Sequence, residues 1–157
     1  MIFGGFLLKS TFELAFCCAA SLSHSRPRFV SLDPSTFQNP VPVGSVLYLT
    51  ATVTYTDPPV VPSPADSDAN TRSTPPPATN GHTRIQVRVD SKVRNVEHRE
   101  TKPTGQFNYT FMVDKEVGVM PRTYTEFMMY IDARRRTKQV ASLTVGMGQR
   151  AEQSVTE

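Results

Sequence analysis

The stretch that most limits what this chain can become is residues 1–22, MIFGGFLLKSTFELAFCCAASL. Only Lys9, Ser10, Thr11, Glu13 and Ser21 are polar beyond the two glycines, so the pattern predicts one helix whose apolar surface runs most of the way round. Such a helix has to be covered. It offers about six turns, and Lys9 and Glu13 interrupt it, which argues against a membrane span. A secretory signal is set aside too. The charges fall inside the apolar run instead of ahead of it, and Phe3-Gly4-Gly5 reads as a turn entering a helix. No Arg-rich, acid-poor transit peptide is legible, so the sequence taken alone would be placed in the cytoplasm.

The segments that follow carry the cover. Pro27 forbids continuation of the helix. A short strand is predicted over 28–33, with Val30 and Leu32 on one face. Residues 34–44 hold Pro34, Pro40, Pro42 and Gly44, which predicts an extended connection without ladder partners, anchored only by Phe37. Over 45–56, Leu47, Leu49, Ala51, Val53 and Tyr55 alternate with Tyr48, Thr50, Thr52, Thr54 and Thr56, the period of a half-buried strand.

Residues 57–82 contain seven of the thirteen prolines and almost no large apolar side chain. Burial there cannot offset ordering entropy, and a disordered Pro-rich insertion between two strands is expected. Alternation then resumes. Ile85, Val87, Val89 and Val93 oppose Arg84, Gln86, Arg88, Asp90, Lys92 and Arg94. After a polar turn over 97–105, Phe107, Tyr109, Phe111 and Val113 oppose Asn108, Thr110 and Met112 over 106–114. An antiparallel meander with one face on the helix is the natural connection.

Pro121 opens a second helix, in which Thr123 and Glu126 have capping-box spacing and Tyr124, Phe127, Met128 and Ile131 form a stripe. Its last turn is placed at Arg134–Arg136. The expected organisation is one α+β domain over 1–136 and a loose C-terminal tail over 137–157.

Composition narrows the class only mildly. A net charge of +3 over 157 residues lacks the concentrated basicity of a nucleic-acid binder, and the aromatics are spaced as core and not interleaved with the basic face. Nucleic acid is therefore not an expected partner. The only cysteines, Cys17 and Cys18, are adjacent and staple nothing, which suits a reducing compartment. Metal-ligand spacing, a nucleophile elbow and a phosphate loop are all missing from the sequence, so neither metal nor cofactor is expected.

Four motifs, in order, carry a resemblance. They are Ile2-Phe3-Gly4-Gly5-Phe6-Leu7, then Phe37-Gln38-x-Pro40-Val41-x-Val43-Gly44-Ser45, then Thr83-Arg84-Ile85-Gln86-Val87-Arg88-Val89, and Pro121-Arg122-Thr123-Tyr124-x-Glu126. Together they resemble the C-terminal hotdog domain of the mitochondrial tandem-hotdog acyl-coenzyme A thioesterases, over residues 2–136 apart from the insertion.

The resemblance implies a long helix wrapped by a curled antiparallel sheet, a mitochondrial location, acyl-CoA as substrate, and another hotdog domain as partner, as a second copy or a tandem unit. Coenzyme A would enter as part of the substrate. Two departures stand out. The family carries a strand before the helix entrance and usually reads Asn-Ile-Phe-Gly-Gly, where this chain has Met1. The expectation is a chain truncated at the helix.

Thioester hydrolysis needs a stabilised oxyanion and an activated water. Free N–H groups at a helix start suit the oxyanion, and Gly4 and Gly5 would let a carbonyl approach them. The glycines could equally serve close packing of helix on sheet. Glu13 is the one carboxylate of the helix, and burial would push it toward general-base range. Many hotdog thioesterases, however, place their helical acid seven residues after the second glycine, at Phe12 here, so Glu13 is a weak candidate beside its other reading as a partly exposed or hydrogen-bonded structural acid.

Phe3, Arg84 and Arg88 are candidate substrate contacts, the arginines in a row with Lys92 and Arg94 that could meet phosphates or simply face water. His24 and Arg134–Arg136 are ordinary surface groups by the same reasoning. The alternative to a hydrolase is a non-catalytic hotdog serving assembly or acyl-CoA binding.

Overall fold

Residues 4–23 form the predicted helix, α1 (Gly4–Ser23), but the chain covers only one side of it. In the computed structural model, which describes residues 2–57, 82–96 and 100–153 and side chains only as far as 139, the buried positions of α1 are Leu7, Thr11, Ala15, Ala19 and Ser23. Spacing of four puts them on one line along the helix. Three of the five are Ala or Ser, which lets the backbone approach the sheet closely. Lys9, Glu13, Cys17 and Ser21 are exposed on the far side, along with Phe6. Leu8, Phe12, Leu14, Phe16, Cys18 and Leu22 are half-buried against the same core, so the sheet wraps α1 part of the way round, as expected of a hotdog. By length and composition α1 would also suffice to cross a membrane, yet its one buried line is taken up by the sheet.

Both helix ends depart from the predicted bounds. Phe3 is extended (φ −69°, ψ 134°) and supplies no side-chain cap, so the helix begins at Gly4 and not at residue 1. At the far end His24 turns left-handed (φ 49°) and donates its N–H to Ala20 O at 2.9 Å, closing the helix as an αL cap.

The sheet consists of β1 (Arg28–Leu32), β2 (Val46–Asp57), β3 (Thr83–Arg94) and β4 (Thr101–Val113), antiparallel throughout in the order β1-β4-β3-β2. Ile85, Val87, Val89, Phe107, Tyr109 and Phe111 are buried as their alternation predicts, and form the core with Leu7, Ala15 and Ala19 of α1. Leu47, Leu49, Ala51 and Val53 complete the inner face at half-burial.

Two bulges depart from the pattern. In β2 the register steps between Val53↔Val87 and Tyr55↔Gln86, so Tyr55 moves to the face of Gln86 while Thr56, opposite Ile85, takes its place. In β4 it steps between Gly105↔Ser91 and Pro103↔Lys92, leaving Thr104 as the extra residue. β4 thus starts at Thr101 and shortens the turn expected over 97–105.

Residues 34–44 are also less free than their prolines imply. Phe37 bridges Gly105, Gln38 donates its N–H to Thr104 O at 2.8 Å, and Asn39 Nδ2 donates to Pro103 O at 2.7 Å. Ile2 N–H donates to Val41 O at 2.8 Å. This strap therefore ties the residues just before α1 to the start of β4.

One polar contact links helix and sheet inside the core. Tyr109 Oη and Thr11 Oγ1 lie 2.7 Å apart, and Thr11 Oγ1 lies 2.9 Å from Leu7 O. A chain of donors, Tyr109 to Thr11 to Leu7, satisfies both hydroxyls. Burial raises the Tyr109 phenol, opposed by its hydrogen bond to Thr11.

Residues 119–157 form a separate compact unit. There the capping box is complete: Glu126 Oε2 accepts from the N–H groups of Arg122 (2.8 Å) and Thr123 (3.2 Å), and Thr123 Oγ1 accepts from Glu126 N–H (3.2 Å). The helix it opens, α2 (Tyr124–Gln153), runs past the end expected at Arg134–Arg136 and through most of the predicted tail. No proline follows Pro121, and each added residue needs only its own backbone bond to extend a helix. The disordered reading of 57–82 falls on residues 58–81, outside those described.

Two outcomes follow. Thr11→Val should lower stability by about 1–3 kcal/mol in denaturant titration, and adding Tyr109→Phe should restore part of it, because removing both partners leaves no orphaned hydroxyl. The backbone donors at Arg122 and Thr123 lower the Glu126 pKa, so the cap's contribution is present above the ordinary carboxylate range and is lost as pH falls through the folded value. Acid titration followed by circular dichroism should show a loss of helix that Glu126→Gln removes.

Candidate active site

A cavity of about 330 Å³ opens beside the N-terminus of α1, bordered by Gly4 and Leu7 of the helix, Phe37 to Val41 of the strap, and Ile2 and Thr104. The first turn of an uncapped helix carries unbonded N–H groups and the positive end of its dipole. Anionic or polarised oxygens suit it.

A Cβ on Gly4 would meet the Phe37 ring at 3.3 Å, and one on Gly5 would come within 2.5 Å of the Phe3 ring, which is 82% exposed. Neither contact is with the sheet. A Cβ at either position would thus meet a ring beside the helix start before it met the sheet.

Other candidates lie elsewhere. Glu13 is on the exposed side of α1, its side chain 62% accessible, 3.8 Å from Lys9 Nζ. The burial on which its expected role as a base rested is absent, and it stands nine residues, about 13 Å along the axis, from Gly4. Phe12 occupies the position where the resemblance implies an acid. Its ring packs edge-on against Phe29 (5.4 Å) and Tyr109 (5.9 Å) and is tilted 6.0 Å from Phe111.

Arg84 and Arg88 lie on the sheet face opposite α1, and Arg88 is committed to Asp90 through contacts of 2.9 to 3.0 Å. The structure thus brings Gly4, Gly5 and Phe3 together but leaves Glu13, Arg84 and Arg88 apart from them. Among the described residues, none lining this cavity is a carboxylate, imidazole or cation, and no His/Cys/Asp/Glu group could hold a metal.

Thr104, missed in the sequence, was hidden inside a predicted polar turn. The Pro103-Thr104-Gly105 run was its one signal, since proline and glycine within a strand mark bulges.

No family model matches the chain. Mouse mitochondrial acyl-coenzyme A thioesterase 9 is 37% identical over 142 residues, covering 90% of this chain and 27% of the mouse protein. The acyl-CoA hydrolase of Staphylococcus aureus, solved with butyryl coenzyme A, coenzyme A and coenzyme A disulfide, superposes with a TM-score of 0.70 at 20% identity, covering 96% of this chain and 82% of that one. A hexameric acyl-CoA thioesterase gives 0.69 at 23% identity, over 92% and 81%.

This chain is a hotdog-fold relative of the mitochondrial acyl-coenzyme A thioesterases. It spans about a quarter of the length of the curated relatives it matches. In this hotdog the glycines opening α1 keep the expected place, while the helical acid position is aromatic.

Glu13→Gln should leave thermal stability nearly unchanged. An exposed i,i+4 pair with lysine ahead of glutamate is worth at most about 0.5 kcal/mol, which differential scanning calorimetry would check.

Proposed function

We propose that this chain is one hotdog half of an acyl-CoA thioesterase, hydrolysing fatty acyl-CoA to free fatty acid and coenzyme A at a seam with a second hotdog domain, in the mitochondrion. The carrying observation is the start of α1, without a side-chain cap, at Gly4, which borders the cavity. The names of the relatives support the substrate class, and the hexameric neighbour supports assembly.

In this reading the thioester carbonyl oxygen lies against the N–H groups of Gly4 and Gly5. Water adds to the carbonyl carbon, giving its proton to a base, and the carbonyl electron pair moves to oxygen as an oxyanion held by those donors. Collapse re-forms the carbonyl and breaks the C–S bond. The thiolate of coenzyme A leaves and takes up the proton. No titratable group lines the cavity among the described residues, and this reading assigns the base to the partner hotdog. The exposed side of α1, with Phe6 at 55% exposure, is the surface left for that partner.

The second reading is a non-catalytic hotdog that contributes assembly or acyl-CoA binding. The aromatic packing around Phe12 favours it, since an acid there is what the resemblance leads one to expect.

Free-thiol release from a panel of acyl-CoA esters, with size-exclusion chromatography of the same sample, separates the two. Turnover by a dimer or larger species supports the hydrolase. A folded oligomer without turnover supports the second reading. Gly5→Pro removes one N–H at a first-turn position that tolerates proline, so it should cut turnover by about 100- to 1,000-fold while the circular dichroism spectrum stays native. Undiminished turnover would sink the oxyanion role.

A further inference from the structure

One side chain of the cavity beside Gly4 stands where it can measure a ligand. Phe37 borders that cavity and is 50% exposed, so half of its surface is open to whatever enters. Its ring packs edge-on against the buried Phe107 at 5.7 Å, and its tip lies 3.3 Å from the position that a Cβ on Gly4 would occupy. The ring therefore stands between the start of α1 and the core of the sheet. The backbone that carries it is fixed, since Phe37 bridges Gly105 and Gln38 donates its N–H to Thr104 O at 2.8 Å. A half-exposed phenylalanine stabilises the fold less than a buried one, because only area removed from water counts. The accessible half of the ring is left for a ligand.

We propose that Phe37 is a specificity-determining residue that limits the length of the acyl chain: hydrocarbon entering this cavity from a carbonyl held at the start of α1 is stopped by the Phe37 ring. The proposal rests on reading the cavity as an acyl-CoA site. Ile2, Leu7, Pro40 and Val41 complete an apolar lining suited to hydrocarbon. With a volume of about 330 Å³ the space lies at the small end of ligand pockets, which run from about 300 to 1,000 Å³. A ring beside the helix start and backed by Phe107 takes up depth that a longer chain would need. In an apolar pocket a single methylene that fits or fails to fit is worth about 10- to 200-fold in discrimination.

The test compares the full wild-type chain with Phe37→Ala, Phe37→Leu and Val43→Ala on butyryl-, octanoyl- and dodecanoyl-CoA, by thiol release, with thermal melting of each sample. The wild-type chain should prefer butyryl-CoA. Phe37→Ala should raise the kcat/KM ratio of dodecanoyl- to butyryl-CoA by about 10- to 100-fold, mainly through KM, because burial of added hydrocarbon is shared by ground and transition states. Phe37→Leu should give a smaller shift in the same direction, and it carries the comparison if Phe37→Ala melts below the assay temperature. Val43 is exposed on the same strap and does not border the cavity, so Val43→Ala should keep the wild-type ratio.

An unchanged ratio in the Phe37 variants would overturn the proposal and leave the hydrolase reading intact. So would a wild-type chain that already prefers dodecanoyl-CoA, or an equal fall on every ester in both variants, which marks a structural ring. If the wild-type chain hydrolyses no ester, the hydrolase reading fails, and calorimetry with the thioethers S-butyl-CoA and S-dodecyl-CoA decides the contact. A relative gain for the dodecyl thioether in Phe37→Ala then supports it, and an unchanged preference or absent binding overturns it.

Discussion

The single buried line of α1 against the sheet is the constraint from which the rest follows. Leu7, Thr11, Ala15, Ala19 and Ser23 are small or compact enough to set the helix close over Val87, Val89, Phe107 and Phe111, and that closeness brings Thr11 within 2.7 Å of Tyr109 Oη. A hydrogen bond between two buried hydroxyls is intolerant of sliding. Helix register along the sheet is therefore fixed, and with it the position of Gly4 and Gly5 one to two turns before Thr11.

Fixing the helix also fixes its start against the strap. The strap over 34–44 is bound to β4 through Gln38 and Asn39 and to the pre-helical chain through Val41, and Phe37 packs edge-on against Phe107 at 5.7 Å. This arrangement walls the cavity without filling it. The start of α1, which has no side-chain cap, and Thr104, the residue that the β4 bulge leaves out of the ladder, border the same cavity.

Much of this was legible in the residues, though unevenly. The alternation of β3 and β4 gave their inner faces residue by residue, because one face of a sheet meets hydrocarbon and the other does not. The Gly4-Gly5 entrance and the Thr123/Glu126 cap could be read for the same kind of local reason. Tyr55 could not be placed correctly, since the Thr54 bulge depends on the pairing with β3 and leaves no period of its own. Which of its two readings suits Glu13 could not be told from the sequence, because the cover of an almost wholly apolar helix depends on how many strands reach round it. Thr104 was invisible for a related reason: its burial is created by a strap more than sixty residues earlier in the chain.

The sequence by itself determined which residues form helix and strand, which faces are apolar, and that a glycine pair opens α1, because these are set by periods and backbone allowances within a few neighbours. Only the tertiary structure decided that α1 is buried along one line, that Phe12 lies in an aromatic cluster, and that Gly4 and Thr104 share a cavity. Those are relations between residues far apart in the chain, and they exist only once the sheet has closed over one side of the helix.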